Sequence, residues 1–113
     1  MLKEFIDCGN ALVAVISGEI DQYSAAYLRS RIDVEFELSG KRNLVLDFSE
    51  VGFMDSAGIE LIIGRAKKLS ALGGRIALSG AQGKLKKILE IGGAARVARV
   101  YPDYRAAVED MMR

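Results

Sequence analysis

Short β-type runs alternate along this chain with segments whose apolar residues recur at helical spacing. The runs at residues 2–7 and 12–17 are separated by Gly9 and Asn10, which favour a tight hairpin. Residues 43–48, reading NLVLDF, form an apolar run typical of a central strand covered on both faces. Two further strands are predicted at residues 75–79 and 97–101.

The helical segments fall between these strands. Ser24 is the predicted N-cap of the first helix, whose apolar face continues until Gly40. Further helices are predicted at residues 56–72 and 84–91, and Pro102 and Asp103 open the last one. The order ββαβαβαβα predicts an α/β fold with a mixed sheet of about five strands and about four helices. A chain of 113 residues fits a single domain, residues 1–113.

The residue types that carry most catalysis are scarce. Histidine, the commonest general base and transition-metal ligand, is absent, and Cys8 is the only cysteine. We therefore expect no enzyme activity, no cofactor and no metal site. No run of about 18 apolar residues and no export signal is visible, so we expect a cytoplasmic protein that makes no membrane contact.

Charge is unevenly distributed although the net charge is only +1. Residues 1–60 contain eleven acidic and five basic side chains, whereas residues 61–113 contain four acidic and eleven basic ones. A basic second half is compatible with a nucleic-acid surface. No aromatic residues interleave with the basic residues of segment 65–99, so we favour the solvated faces of amphipathic helices and no direct nucleic-acid binding.

The loop predicted at residues 49–55 joins the central strand to the second long helix. Ligands and partners of open α/β sheets usually bind at such strand ends. Asp55 and Ser56 stand where the helix begins, and each is a candidate N-cap. A phosphate on Ser56 would alternatively lie at the positive end of the helix dipole. Spacing leaves both interpretations open.

Three segments together resemble a known family. They are FMDSAG, preceded by VLDFSEV and followed by IELIIGRAKKLSALGGRIAL; SGEID at residues 17–21; and LKKILEIGGAARV. This combination resembles the STAS-domain anti-sigma factor antagonists. The GRAKKL continuation is most similar to the sporulation branch, which acts on sigma F.

The resemblance implies a partner switch. The unphosphorylated protein would bind an anti-sigma factor that has serine kinase activity, and the sigma factor would be released. Phosphorylation of Ser56 by that kinase would switch the protein off, and a PP2C-type phosphatase would restore it. ATP and magnesium would belong to the kinase.

Individual residues are transferred by their match to the family pattern. Ser56 matches the phosphorylated serine, and Ala57 departs from the pattern, in which a second serine is commoner. Gly58 is expected to keep the surface beside Ser56 low. The residues expected at the partner-binding surface are Asp21, Asp55, Ala57, Gly58, Ile59 and Ile62. For Ile62 a place in the core is an equally good interpretation.

Three alternatives stay open from sequence. Asp47 ends a strand, as the acceptor of a phospho-receiver would, but the other acidic and basic residues of a receiver are not evident. A nucleotide hydrolase would need Asp47, Glu50 and Asp55 to converge on a metal. The third alternative is a STAS module that serves a stress-response or chemotaxis-like network or binds a small nucleotide.

Overall fold

The computed structural model describes all 113 residues as one five-stranded sheet packed with five helices. Along the chain the elements are β1 (Leu2–Cys8), β2 (Ala11–Ile20), α1 (Gln22–Ser39), β3 (Asn43–Met54), α2 (Ser56–Ala71), β4 (Ile76–Ser79), α3 (Gly83–Ile91), α4 (Ala94–Val97), β5 (Arg99–Tyr101) and α5 (Tyr104–Met111). The strands lie in the order β1-β2-β3-β4-β5. β1 is antiparallel to β2, and the other neighbours are parallel, so the α/β mixed-sheet prediction is confirmed.

Side chains of the central strands alternate between two cores. Leu44 and Leu46 of β3 face a core of 22 buried residues built with α1, α2, α3 and α4. Val45 faces a smaller cluster of 8 buried residues, to which Val108 and Met111 of α5 contribute. This alternation covers both faces of the sheet, as the apolar NLVLDF run predicts. No helix of the structure combines the length and the apolar character needed to cross a bilayer.

The structure corrects several predicted boundaries. β2 continues to Ile20 and β3 to Met54, so residues 49–54, predicted as a loop, belong to a strand. The two strands stay paired over this polar stretch through register shifts after Val15 and Gly18. Val97, predicted to begin the last strand, instead ends α4, an additional helix of 4 residues.

One basic residue does not lie on a solvated helix face as expected. Arg65 of α2 is buried, with 9% of its surface exposed, and its Nε lies 3.2 Å from Oδ1 of Asp33 on α1. Lys68 Nζ lies 3.6 Å from the other oxygen of the same carboxylate. A buried guanidinium requires a compensating charge, which Asp33 supplies to Arg65. This ion pair joins α1 to α2.

Candidate functional site

The neighbouring parallel strands β2 and β3 end side by side. Ile20 pairs with Met54, and the backbone N–H of Asp55 donates to the Ile20 carbonyl oxygen at 3.1 Å. Asp21 and Asp55 directly follow the two strands and begin α1 and α2. The sheet therefore places Asp21 beside the helix start that carries Ser56, at the carboxyl edge where α/β proteins usually bind their partners.

Asp21 caps α1 through a reciprocal set of hydrogen bonds. Its Oδ1 accepts from the backbone N–H of Tyr23 at 3.0 Å and of Ser24 at 2.9 Å, and Ser24 Oγ accepts from the Asp21 N–H at 2.9 Å. The predicted cap at Ser24 is therefore wrong, because Ser24 is the third residue of this capping box. The bond from the Ser24 N–H is the main reason that the pKa of Asp21 lies below its usual value.

The sequence left open whether Asp55 or Ser56 caps α2, and the structure assigns the cap to Asp55. Asp55 is the N-cap of α2, and its Oδ1 accepts from the Ala57 N–H at 2.8 Å. Ser56 is the first helical residue, its side chain is exposed, and its hydroxyl makes no hydrogen bond to another group of the protein. The helix is thus capped without Ser56, whose hydroxyl is free to react or to bind.

Gly58 and Ile62 do not belong to the exposed surface. Being four residues apart, they share one face of α2, and that face packs inward. Ile62 is fully buried, and a Cβ atom on the buried Gly58 would lie 2.7 Å from Sδ of Met54. Neither residue is open to a partner in this conformation, and Ile62 takes the core position that its spacing also allowed. Gly58 makes room for Met54 instead of lowering the surface.

Ala57 and Ile59 are half-buried beside Ser56. Ile59 packs towards α3, where a Cβ atom on Gly92 would lie 2.8 Å from Cδ1 of Ile59. Ala57 lines a groove of about 240 Å³ between the first turns of α1 and α2, which also contains Arg29 and Glu60. Both residues thus have some surface left for a partner.

Two aromatic side chains at the same edge were missed by the sequence analysis. Tyr23, in the first turn of α1, is 77% exposed, and Phe53, near the end of β3, is 39% exposed. Lys84 Nζ lies 5.7 Å from the centre of the Phe53 ring, within cation–π distance. Exposed aromatic rings often anchor protein interfaces. Tyr23 and Phe53 lie close in sequence to Asp21 and Ser56, and this nearness could have indicated that both rings belong to the candidate site.

The carboxylates of the hydrolase alternative do not converge. Asp47 is buried and accepts from the hydroxyls of Ser49 at 2.6 Å and Ser79 at 2.7 Å. Glu50 binds Lys3 Nζ at 2.7 Å, and Asp55 caps α2. The structure contains no group of three or more His, Cys, Asp or Glu side chains arranged to hold a metal ion. The burial of Asp47 likewise argues against the receiver alternative.

Comparison with known proteins agrees with this architecture. The family model described as the STAS domain matches residues 6–107. The anti-sigma F factor antagonist of Paenibacillus polymyxa is 25% identical over 100 residues, which are 88% of this chain and 86% of the relative. The anti-sigma-B factor antagonist of Bacillus subtilis is 31% identical over 84 residues, 74% of this chain and 75% of the relative.

Solved structures of other proteins share this fold. The phosphorylated form of SpoIIAA, a Bacillus cell fate determinant, superimposes with a TM-score of 0.69 at 23% sequence identity. The match covers 97% of this chain and 100% of SpoIIAA. At this level of identity the likeness shows that the two proteins share a fold.

Proposed function

The chain belongs to the STAS domain family, and on that premise we propose that the protein is an anti-sigma factor antagonist. Its unphosphorylated form binds an anti-sigma factor with serine kinase activity, and a sigma factor is released. Phosphorylation of Ser56 ends the interaction, and a PP2C-type phosphatase reverses it. The names of the relatives support the activity, and the phosphorylated form of SpoIIAA supports control by phosphate.

The observation that carries the proposal is the free hydroxyl of Ser56. It is exposed at the first position of α2, while Asp55 already performs the capping. A phosphate at this position would face the positive end of the helix dipole, which tolerates negative charge. Modification would therefore leave the fold intact and change only the surface that a partner meets.

Charge at this edge supports release upon phosphorylation. Asp21 and Asp55 are exposed carboxylates at the ends of neighbouring strands, so the partner's contact surface should be basic, with arginine the best match. A phosphate adds a charge of about −1.5 to −2 beside them. An uncompensated charge in a close interface costs about 2 to 5 kcal/mol, roughly a 30-fold or greater loss of affinity.

The protein acts here as a ligand and a substrate. The kinase brings ATP, magnesium and the catalytic base, and this chain contributes the acceptor and the surrounding contact surface. That surface comprises Asp21, Asp55, Ala57 and Ile59, to which we add the exposed rings of Tyr23 and Phe53. We expect the exchange to take place in the cytoplasm, without membrane or nucleic-acid contact by this chain.

Affinity for the anti-sigma factor tests the proposal. We expect Ser56→Ala to bind with the affinity of the unchanged protein and to keep binding when ATP is added, and Ser56→Asp to bind at least 30-fold more weakly. Ser30→Asp is the matched control, because Ser30 is an exposed residue of α1 and the change adds the same charge. Equal affinities for the aspartate variants at positions 56 and 30 would refute the charge switch.

The sigma factor branch has two candidates, because the relatives include antagonists of both sigma F and sigma B regulators. The GRAKKL segment favours the sporulation branch, whereas the relative with 31% identity favours a stress-response network. Titration of the protein against one anti-sigma factor of each type separates the two. We expect the sigma F type to bind more tightly, and tighter binding of the sigma B type would assign the protein to the stress response.

A further inference from the structure

Helix α1 presents apolar side chains on two of its faces. The inner face packs Leu28 and Ile32 into the larger core. On the outer face the side chains of Tyr27, Val34 and Leu38 are 44%, 55% and 76% exposed. The solvated face of a surface helix normally carries polar residues instead. Exposed apolar side chains that lie together usually mark a contact with another protein.

The exposed residues recur at the spacing of a helix–helix contact. Four residues that are separated by four, three and four positions line one stripe of α1: Tyr27, Arg31, Val34 and Leu38. We call this stripe the α1 seam. In coiled coils, residues at this spacing are the ones that two paired helices bury between them. At a rise of about 1.5 Å per residue, the α1 seam extends over about 16 Å of the helix.

Two charged side chains at the α1 seam have no ionic partner within the chain. Arg31 Nη1 donates to the Tyr27 hydroxyl at 3.1 Å, and the guanidinium lies 6.0 Å from the centre of the Phe5 ring. Glu35 follows Arg31 by four residues and borders the seam. This spacing permits an ion pair within the helix, but neither side chain forms one with any residue. One cation and one anion are therefore available to a partner beside the apolar stripe.

A second copy of the chain supplies the complement of both features. Two α1 helices that pack antiparallel, about a two-fold axis between residues 32 and 33, place Tyr27 of each copy opposite Leu38 of the other. In the same register Val34 lies against the aliphatic part of Arg31. Arg31 of each copy also comes beside Glu35 of the other, which gives two ion pairs related by symmetry. A parallel pair would instead bring like charges together, so charge favours the antiparallel arrangement.

We propose that the α1 seam is an interface between two copies of this chain, packed antiparallel. The contact is small, because standard interfaces use about 20 to 30 residues a side. The dimer is therefore weak and reversible, with a Kd of about 100 μM. Asp21 and Ser56 lie outside the seam, so the interface does not depend on the switch at the start of α2.

Analytical ultracentrifugation of the full, unphosphorylated chain from 10 μM to 1 mM tests the interface. We expect Arg31→Glu and Glu35→Arg each to weaken the dimer tenfold or more, because each change places like charges opposite one another. The double variant Arg31→Glu/Glu35→Arg restores the opposite charges and should recover the affinity to within threefold. Arg29→Glu is the matched control, because Arg29 is exposed on α1 outside the seam and forms no ion pair. We expect this control to change the affinity less than twofold.

The apolar part of the α1 seam has a separate test. Leu38→Gln should weaken the dimer at least tenfold, whereas Leu72→Gln should not, although Leu72 is similarly exposed, at 67%, just after α2. Circular dichroism of each variant checks that the chain remains folded.

Three outcomes would overturn the proposal. They are a chain that stays monomeric at 1 mM, a double charge variant that stays as weak as the single ones, and equal weakening by Leu38→Gln and Leu72→Gln. A monomeric chain whose anti-sigma factor binding is weakened by Leu38→Gln would assign the seam to that partner instead. Phosphorylation of Ser56 should be unchanged in Leu38→Gln, so this proposal and the proposed switch can fail separately.

Discussion

Replacing Gly58 with alanine probes how the helix that carries Ser56 rests on the strand before it. The added Cβ atom would lie 2.7 Å from Sδ and 2.8 Å from Cβ of Met54. Met54 is 1% exposed, so its side chain has no solvent to move into, and its Cβ atom is fixed by the backbone. Either the start of α2 or the end of β3 must therefore shift.

Two opposing contributions to the unfolding free energy set the size of the effect of Gly58→Ala. Inserting a methyl group into packed surroundings typically costs about 1 to 3 kcal/mol. Alanine is favoured over glycine inside a helix by about 1 kcal/mol, which opposes that cost. We expect a net loss of about 1 kcal/mol for Gly58→Ala. Gly64 of the same helix is the matched control, because a Cβ atom there meets nothing within 4 Å and only the favourable term remains.

Urea unfolding of the two variants beside the unchanged protein gives the comparison. We expect the unfolding free energy of Gly58→Ala to fall below that of Gly64→Ala by about 2 kcal/mol, which is the packing cost alone because the helix-propensity gain is common to both variants. Unchanged urea slopes would show that the native and unfolded states remain comparable. If Gly58→Ala were as stable as Gly64→Ala, close packing of Gly58 on Met54 would be disproved.

Three further expectations concern other contacts. Asp21→Ala should lower the unfolding free energy by removing the α1 cap. Because the folded pKa of Asp21 is lowered, its contribution to stability is present above the usual carboxyl pKa and is lost as pH falls through the folded value. Urea unfolding across acidic pH should show this loss in the unchanged protein and not in Asp21→Ala, and the same pH dependence in both would contradict it. Asp33→Ala should cost about 2 kcal/mol in urea unfolding, because it removes the ion pair of the buried Arg65; a change under 0.5 kcal/mol would contradict this. Tyr101→Phe should raise the pKa of Asp110 in an NMR titration, because the Tyr101 hydroxyl is the main cause of its lowered value; an unchanged pKa would contradict that cause.

The strongly periodic parts of the fold could be predicted from sequence. The apolar residues of NLVLDF and the helical spacing from Ser56 onwards depend on local pattern, and both elements form as expected. The polar ends of β2 and β3 were missed because residues such as Gly18 and Ser49 carry no apolar alternation. Their strand conformation comes from pairing with each other, which is a contact distant in sequence.

The candidate site could also be predicted from the sequence only in part. The importance of Asp21, Asp55 and Ser56 rested on motif resemblance, and the structure brings the corresponding strand ends together. Which side chains face outward depends on packing, so the sequence left the core and partner roles of Ile62 open and did not show that Gly58 is buried. The helical spacing placed them on a common face, but sequence alone did not show that this face covers Met54.

The position of the phosphate tests the central claim most directly. The protein is mixed with its cognate anti-sigma factor kinase, ATP and magnesium, and the modified residue is mapped by mass spectrometry. We expect one phosphate, on Ser56, and none in Ser56→Ala. A phosphate on another residue, or continued phosphorylation of Ser56→Ala, would contradict the switch at the start of α2.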